Sequence, residues 1–272
     1  MNRETLISEI RRKKSFLCIG LDTDETLMPS SMAGYPDAIY EFNKRIIDAT
    51  LDSCVGYKIN TAFYEAMGTR GWDALERTAN YIPSTHFRIA DAKRGDIGNT
   101  SAKYARAFFE TMDFDAITVA PYMGEDSIRP FLEYKDKWTI VLGLTSNKGA
   151  IDFELQPSGD KLLFEKVIET TAKWGTTDNL MFVAGATQTE YLSRVRKIVP
   201  DHFLLVPGVG FQGGSLAEVA ATAMNKDVGL LVNVSRAILY ASSEENFAEE
   251  SRITAKQYNY EMLKLLLEFS SH

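Results

Sequence analysis

A single-domain (β/α)8 TIM-type barrel of the α/β class is the fold that this sequence predicts, on three observations. Short apolar runs recur along the 272 residues, longer amphipathic segments separate them, and polar or charged residues follow the runs directly. The runs span 16–21, 55–59, 87–90, 116–120, 139–144, 180–184, 203–206 and 230–234. Each is short and most are rich in β-branched residues, as strands buried on both faces require. Helical spacing of apolar residues is read over 38–53, 99–112, 162–174, 190–198, 216–224 and 246–267. A further helix fits 73–83, although the strand that follows it is brief. The stretch 148–160 reads as a loop, long enough for a mobile lid. No Gly/Ser linker, low-complexity tract or repeat divides the chain, so residues 1–272 are expected to form one barrel domain.

Composition narrows the chemistry. Hydrophobic residues make up 45% of the chain, enough for a substantial core, and the net charge is -7. An acidic balance argues against nucleic acid and anionic membranes as partners, while a local site of opposite sign can still hold a small anion. The segment Met1-Asn2-Arg3-Glu4-Thr5 has no apolar h-region, and no apolar run is long enough to span a bilayer, so a soluble cytoplasmic protein is expected. The two cysteines, Cys18 and Cys54, form no CxxC motif and are expected to be buried thiols on strands. His86, His202 and His272 lack a Ser or Cys elbow and an HExxH motif. Structural or surface roles are expected for them, which disfavours a histidine triad and a zinc centre.

In barrels of this class the chemistry lies at the carboxyl ends of the strands, so the residues just after each run are the ones to test. They are Asp22 after the first, Lys58-x-Asn60 at the second, and Asp91-x-Lys93-x-x-Asp96 after the third. Thr145-Ser146-Asn147-Lys148 follows the fifth, a glycine-rich 207–214 the seventh, and Asn233-Val234-Ser235-Arg236 ends the eighth. Asp91 and Lys93, two apart on a strand, can both face the barrel mouth, where opposite charges keep each other ionised. Gly95 permits a turn, and Asp96 is placed near the start of the next helix. Lys58 adds a second cation, and such an alternating array is costly to desolvate unless it stays wet or does chemistry. Gly210 and Gly213 can bring backbone N–H groups to an anion, with Gln212 and the forked donor Arg236 beside them, which points to phosphate. No GxxxxGK[ST] motif and no strand–GxGxxG–helix motif is present, so neither a nucleoside triphosphate nor a dinucleotide cofactor is expected.

Taken together, Asp22, Lys58-x-Asn60, Asp91-x-Lys93-x-x-Asp96, Thr100, Ser146, Gln212 and Arg236 resemble the orotidine 5'-phosphate decarboxylase family over nearly the whole chain. The blocks at 145–147 and 207–214 look like its longer bacterial branch. The resemblance implies metal-free, cofactor-free decarboxylation of orotidylate to UMP in pyrimidine synthesis. It also implies a homodimer in which Asp96 and Thr100 reach the partner's site. Lys93 would stabilise and then protonate the C6 carbanion, with Asp91 and Asp96 holding it charged. Asp22, Lys58 and Thr100 would hold the ribose hydroxyls, with Asn60 supporting that network. Ser146 would bond the pyrimidine, and Gln212 and Arg236 the phosphate. Ala92 and Arg94 are expected to point away, and Lys148 receives no role.

Three rival readings keep part of the pattern. A Mg²⁺-dependent sugar-phosphate enzyme such as 3-keto-gulonate 6-phosphate decarboxylase needs an acidic metal ligand near the position of Asn60. A Schiff-base aldolase would use Lys58 or Lys93 and would be trapped by borohydride. A non-catalytic nucleotide-binding module would tolerate loss of Asp91 or Lys93, yet both are present.

Overall fold

Eight parallel strands close on themselves in sequence order in the computed structural model, which describes residues 1–186, 189–210 and 213–270. They are β1 (Leu17–Gly20), β2 (Gly56–Asn60), β3 (Phe87–Arg94) and β4 (Ala116–Val119). The circuit continues through β5 (Trp138–Leu144), β6 (Leu180–Ala184), β7 (Leu204–Pro207) and β8 (Leu230–Val234). Pairing of Leu17 with Val232 seals β8 to β1. The (β/α)8 expectation is therefore correct.

Strand limits differ from the apolar runs for a simple reason. Phe16, Val55 and Phe203 are fully buried but plug the amino end of the barrel before regular pairing begins. The third strand departs most. It does not stop at Ala90 but carries Asp91 to Arg94 within it. Between the pairs Ala90–Ile117 and Arg94–Val119, β3 advances four residues while β4 advances two, so β3 bulges. Lys93 sits in that bulge at a φ of 46°.

Helices cover the barrel. Those the spacing anticipated are α2 (Ala38–Thr50), α4 (Thr69–Tyr81), α5 (Gly98–Arg106), α7 (Leu163–Thr171), α8 (Thr189–Ile198), α9 (Leu216–Ala223) and α11 (Phe247–Phe269). The spacing over 99–112 contains a change of helix type, because a π-helical turn at Ala107–Thr111 follows α5. Four further helices had no long apolar stripe to reveal them: α1 (Arg3–Lys13), α3 (Thr61–Glu65), α6 (Glu125–Leu132) and α10 (Arg236–Leu239). The stretch 148–160 is more ordered than the loop expected. It holds a 3-10 turn at Lys148–Asp152, and Pro157–Ser158 pairs with Lys161–Leu162 as a small antiparallel hairpin. Two-residue strands are too short to show a period in sequence.

The amino end of the barrel is closed by aromatic packing and carbonyl binding. The Trp138 ring meets Phe87 and Phe203 edge-on at centroid distances of 6.1 and 6.2 Å. His86 and His202 lie just before β3 and β7, at this end and away from the strands' carboxyl ends, in agreement with structural roles. Burial pushes the pKa of each down to about 4. Both cysteines are free and buried, but Cys54 lies two residues before β2 rather than on it. Among the described residues, no helix is long and apolar enough to cross a membrane.

Candidate active site

The carboxyl ends of β1, β2 and β3 bring three of the charged groups into one chain of contacts. Lys58 lies on β2 between its paired neighbours Gly20 on β1 and Ile89 on β3. Its Nζ donates to Asp91 Oδ2 at 2.9 Å and to Asp22 Oδ1 at 3.2 Å. Lys93 Nζ donates to the other Asp91 oxygen, Oδ1, at 2.6 Å. Only 4% of Lys58 is exposed, whereas the Lys93 side chain is half exposed and forms the accessible cation of the array. Desolvation alone would lower the Lys58 pKa, but Asp22 and Asp91 outweigh it and hold it above the usual lysine range. Burial alone would raise the Asp91 pKa. Lys58 and Lys93 overcome that and hold it well below the usual carboxylate range.

These groups form one side of a cleft of about 320 Å³. Leu142, Val183, Leu205 and Val209 give it an apolar wall, and Ser146, Asn147, Ser235 and Arg236 line it as well. A ligand with a flat apolar body, a polar edge and an anionic end matches such a lining. Ser146 is held from two directions. Thr145, just before it, donates its N–H and hydroxyl to the Glu154 carboxylate at 2.7 and 2.8 Å. On the other side a Cβ at Gly185 would come within 3.1 Å of Ser146 Cα, so the glycine permits the close approach. Asn60 lines the cleft, and its side-chain oxygen caps α3 by accepting from the Ala62 N–H at 3.3 Å.

Not every expected residue lies in this cleft. Asp96 and Thr100 do not line it within their own chain. Asp96 instead accepts the Ile97 N–H at 2.8 Å, and Thr100 is exposed on α5. Gly210 and Gly213 have φ of 79° and 89°, and the Gly213 N–H donates to the Gly210 carbonyl at 2.8 Å. They shape the segment after β7, while Gly208 is the glycine that lines the cleft. Gln212 lies outside the described residues. Lys148 sits on the 3-10 turn and does not reach the cleft. Arg94 points away as expected, pairing with Glu65 and lying over the Tyr104 and Phe108 rings, and Ala92 is buried.

The sequence reading passed over Thr118 and Glu154, and it named Asn233 at the end of the eighth run without giving it a role. Thr118 and Asn233 each place a polar residue inside a short, fully buried strand, which was a usable signal. Asn233 Oδ1 and Ser235 Oγ are buried with no hydrogen-bond partner among the described residues. Glu154 carries no local signal, since it meets Thr145 only when the 3-10 turn folds back.

A closed parallel barrel with a charged cleft at the carboxyl ends of its strands defines a (β/α)8-barrel enzyme. Residues 15–251 match the orotidine 5'-phosphate decarboxylase / HUMPS family, and the chain belongs to that family. It is 54% identical over 270 residues to the orotidine 5'-phosphate decarboxylase of Bacteroides fragilis, covering 98% of both chains. The solved structure of Leishmania donovani OMP decarboxylase is similar at a TM-score of 0.81 and 37% identity, over 96% of this chain and 99% of that one. Leishmania donovani UMP synthase is similar at a TM-score of 0.81 and 38% identity, over 94% of this chain but 56% of that longer one.

Proposed function

We propose that this protein converts orotidine 5'-phosphate to UMP and CO2 without metal or organic cofactor. The observation that carries the reading is the half-exposed Lys93 ammonium, held 2.6 Å from an ionised Asp91 in a cleft that Arg236 also lines. The phosphate would be held by Arg236, with Gln212 and the turn around Gly210 and Gly213 in support, and Ser146 would take the pyrimidine edge. Binding energy gained at that remote phosphate can offset the cost of bringing another anion beside Asp91. Breaking the C6–carboxylate bond leaves its electron pair on C6. The Lys93 ammonium stabilises that charge and then transfers its proton to C6, and the resulting amine regains a proton from solvent.

Asp91 Oδ1 holds the Lys93 ammonium in place for this step. Lys58 lies between Asp22 and Asp91 and engages the carboxylates that a divalent ion would need, which supports a metal-independent reaction. Asp22, Lys58 and Asn60 would meet the ribose. We extend the reading to a homodimer in which Asp96 and Thr100 complete the partner's cleft. In support, both lie outside their own cleft, and the adjoining Ile97 and the nearby strand-end residue Tyr122 are 58% and 90% exposed.

The test is turnover of orotidylate, followed as loss of its ultraviolet absorbance, in the presence of EDTA. Wild-type protein should be active, and Lys93→Ala should lose nearly all turnover while still binding UMP. An inert wild type, or activity abolished by chelation, refutes the proposal.

A further inference from the structure

Thr118 lies on β4 between Ile117 and Val119, opposite the bulge of β3, and is 1% exposed. Its Oγ1 accepts the backbone N–H of Lys93 at 2.9 Å and donates to Asp91 Oδ1, also at 2.9 Å. The same Asp91 oxygen receives Lys93 Nζ. One hydroxyl therefore closes a ring from the main chain of Lys93 to the carboxylate that its own side chain grips.

Two physical facts make this ring more than ordinary core satisfaction. Lys93 has a φ of 46°, a left-handed conformation that an L side chain adopts only when its surroundings impose it. The bulge takes its N–H out of the regular ladder, and in this part-buried contact the N–H is paired with the Thr118 hydroxyl instead. An ionised carboxylate only accepts, so the Thr118 hydrogen must go to Asp91 and an oxygen lone pair is left for the Lys93 N–H. Serine could do the same. Valine has the shape of threonine and neither capacity.

We propose that Thr118 is a positioning residue of the reaction, holding the backbone of Lys93 and the carboxylate of Asp91 in one register so that the ammonium faces the reacting carbon. This rests on the decarboxylase reading given above. Thr118 does not itself line the cleft, so its effect should fall on the chemical step and not on ligand binding.

Thr118→Val and Thr118→Ser test it by kcat, KM for orotidylate, UMP affinity and thermal melting. The valine variant should lose roughly 10- to 100-fold in kcat, with KM and UMP affinity within about twofold of wild type. Serine should restore most of the kcat. A crystal structure of the valine variant should show Lys93 leaving its left-handed conformation or its contact with Asp91. Full kcat in Thr118→Val overturns the proposal, as does a loss carried by KM, or one that serine shares in step with melting temperature. An unaltered bulge in the valine structure also overturns it. An inactive wild type sinks the decarboxylase reading instead, so the two failures are distinguishable.

Discussion

Asp91→Asn changes almost no volume but alters the charge balance of the cleft. In the wild type the cations Lys58 and Lys93 face the anions Asp22 and Asp91, so the four groups are neutral together. The substitution leaves two cations and one anion. Breaking a buried ion pair from one side costs about 3–5 kcal/mol. Lys58 keeps Asp22 at 3.2 Å, and Lys93 is half exposed, so water screens its share. The net loss of stability should therefore fall at or below the lower end of that range, at about 2–3 kcal/mol. Urea denaturation at pH 7 measures it.

The sign with pH follows from the direction of the Asp91 shift. Its folded pKa lies below the unfolded value, so in the acid range the native state binds fewer protons than the unfolded state at the same pH. The stability it contributes is fully present above the unfolded pKa of about 4 and is lost below it. Wild type should therefore lose stability more steeply than Asp91→Asn in that range. Activity should separate from binding. With Lys93 no longer gripped, kcat should fall by about 100-fold or more, equivalent to about 2.7 kcal/mol, while UMP binding is not weakened, because an anion has been removed. A variant as stable as wild type with unchanged kcat would refute the account of the array.

Other consequences are equally measurable. Arg236→Ala should weaken UMP binding by about 2–3 kcal/mol, the worth of a charge-assisted phosphate contact, as read by titration calorimetry. Arg196 donates to the carbonyls of Ala223, Val199, Pro200, His202 and Gly229, and burial lowers its pKa to about 10. Arg196→Met should cost about 3 kcal/mol in denaturant with turnover per folded molecule unchanged. Both ring nitrogens of His202 are buried without a partner among the described residues, and the ring meets Phe182. Its depressed pKa means that stability is present above about pH 6.5 and declines toward pH 4. His202→Phe should match or exceed wild type at pH 7 and lose about 1–2 kcal/mol less on acidification, as followed by melting temperature against pH.

Periodicity is a local property, and it was legible. Runs of buried apolar residues marked all eight strands because parallel strands in a barrel are covered on both faces. The same reasoning placed Lys58, Asp91 and Lys93 at one rim, since strand direction dictates which end carries polar residues. The ends of elements were less legible. The β3 bulge depends on pairing with β4, a long-range relation that a local window cannot contain. Short helices such as α3 and α10 bury too few residues to leave a stripe.

The site divides in the same way. By itself the sequence determined the barrel, the residue types at its rim and the opposite charges two positions apart. Only the tertiary structure decided that Lys58 joins Asp22 to Asp91 and that Glu154 grips the residue before Ser146. It alone sets Thr118 between the Lys93 backbone and the Asp91 carboxylate. It also leaves Asp96 and Thr100 outside the cleft of their own chain. The physical reason is distance along the chain. Lys58 and Asp91 are 33 residues apart and Thr118 and Asp91 are 27 apart, so closure of the barrel, not local spacing, brings their charges and hydroxyls within bonding reach.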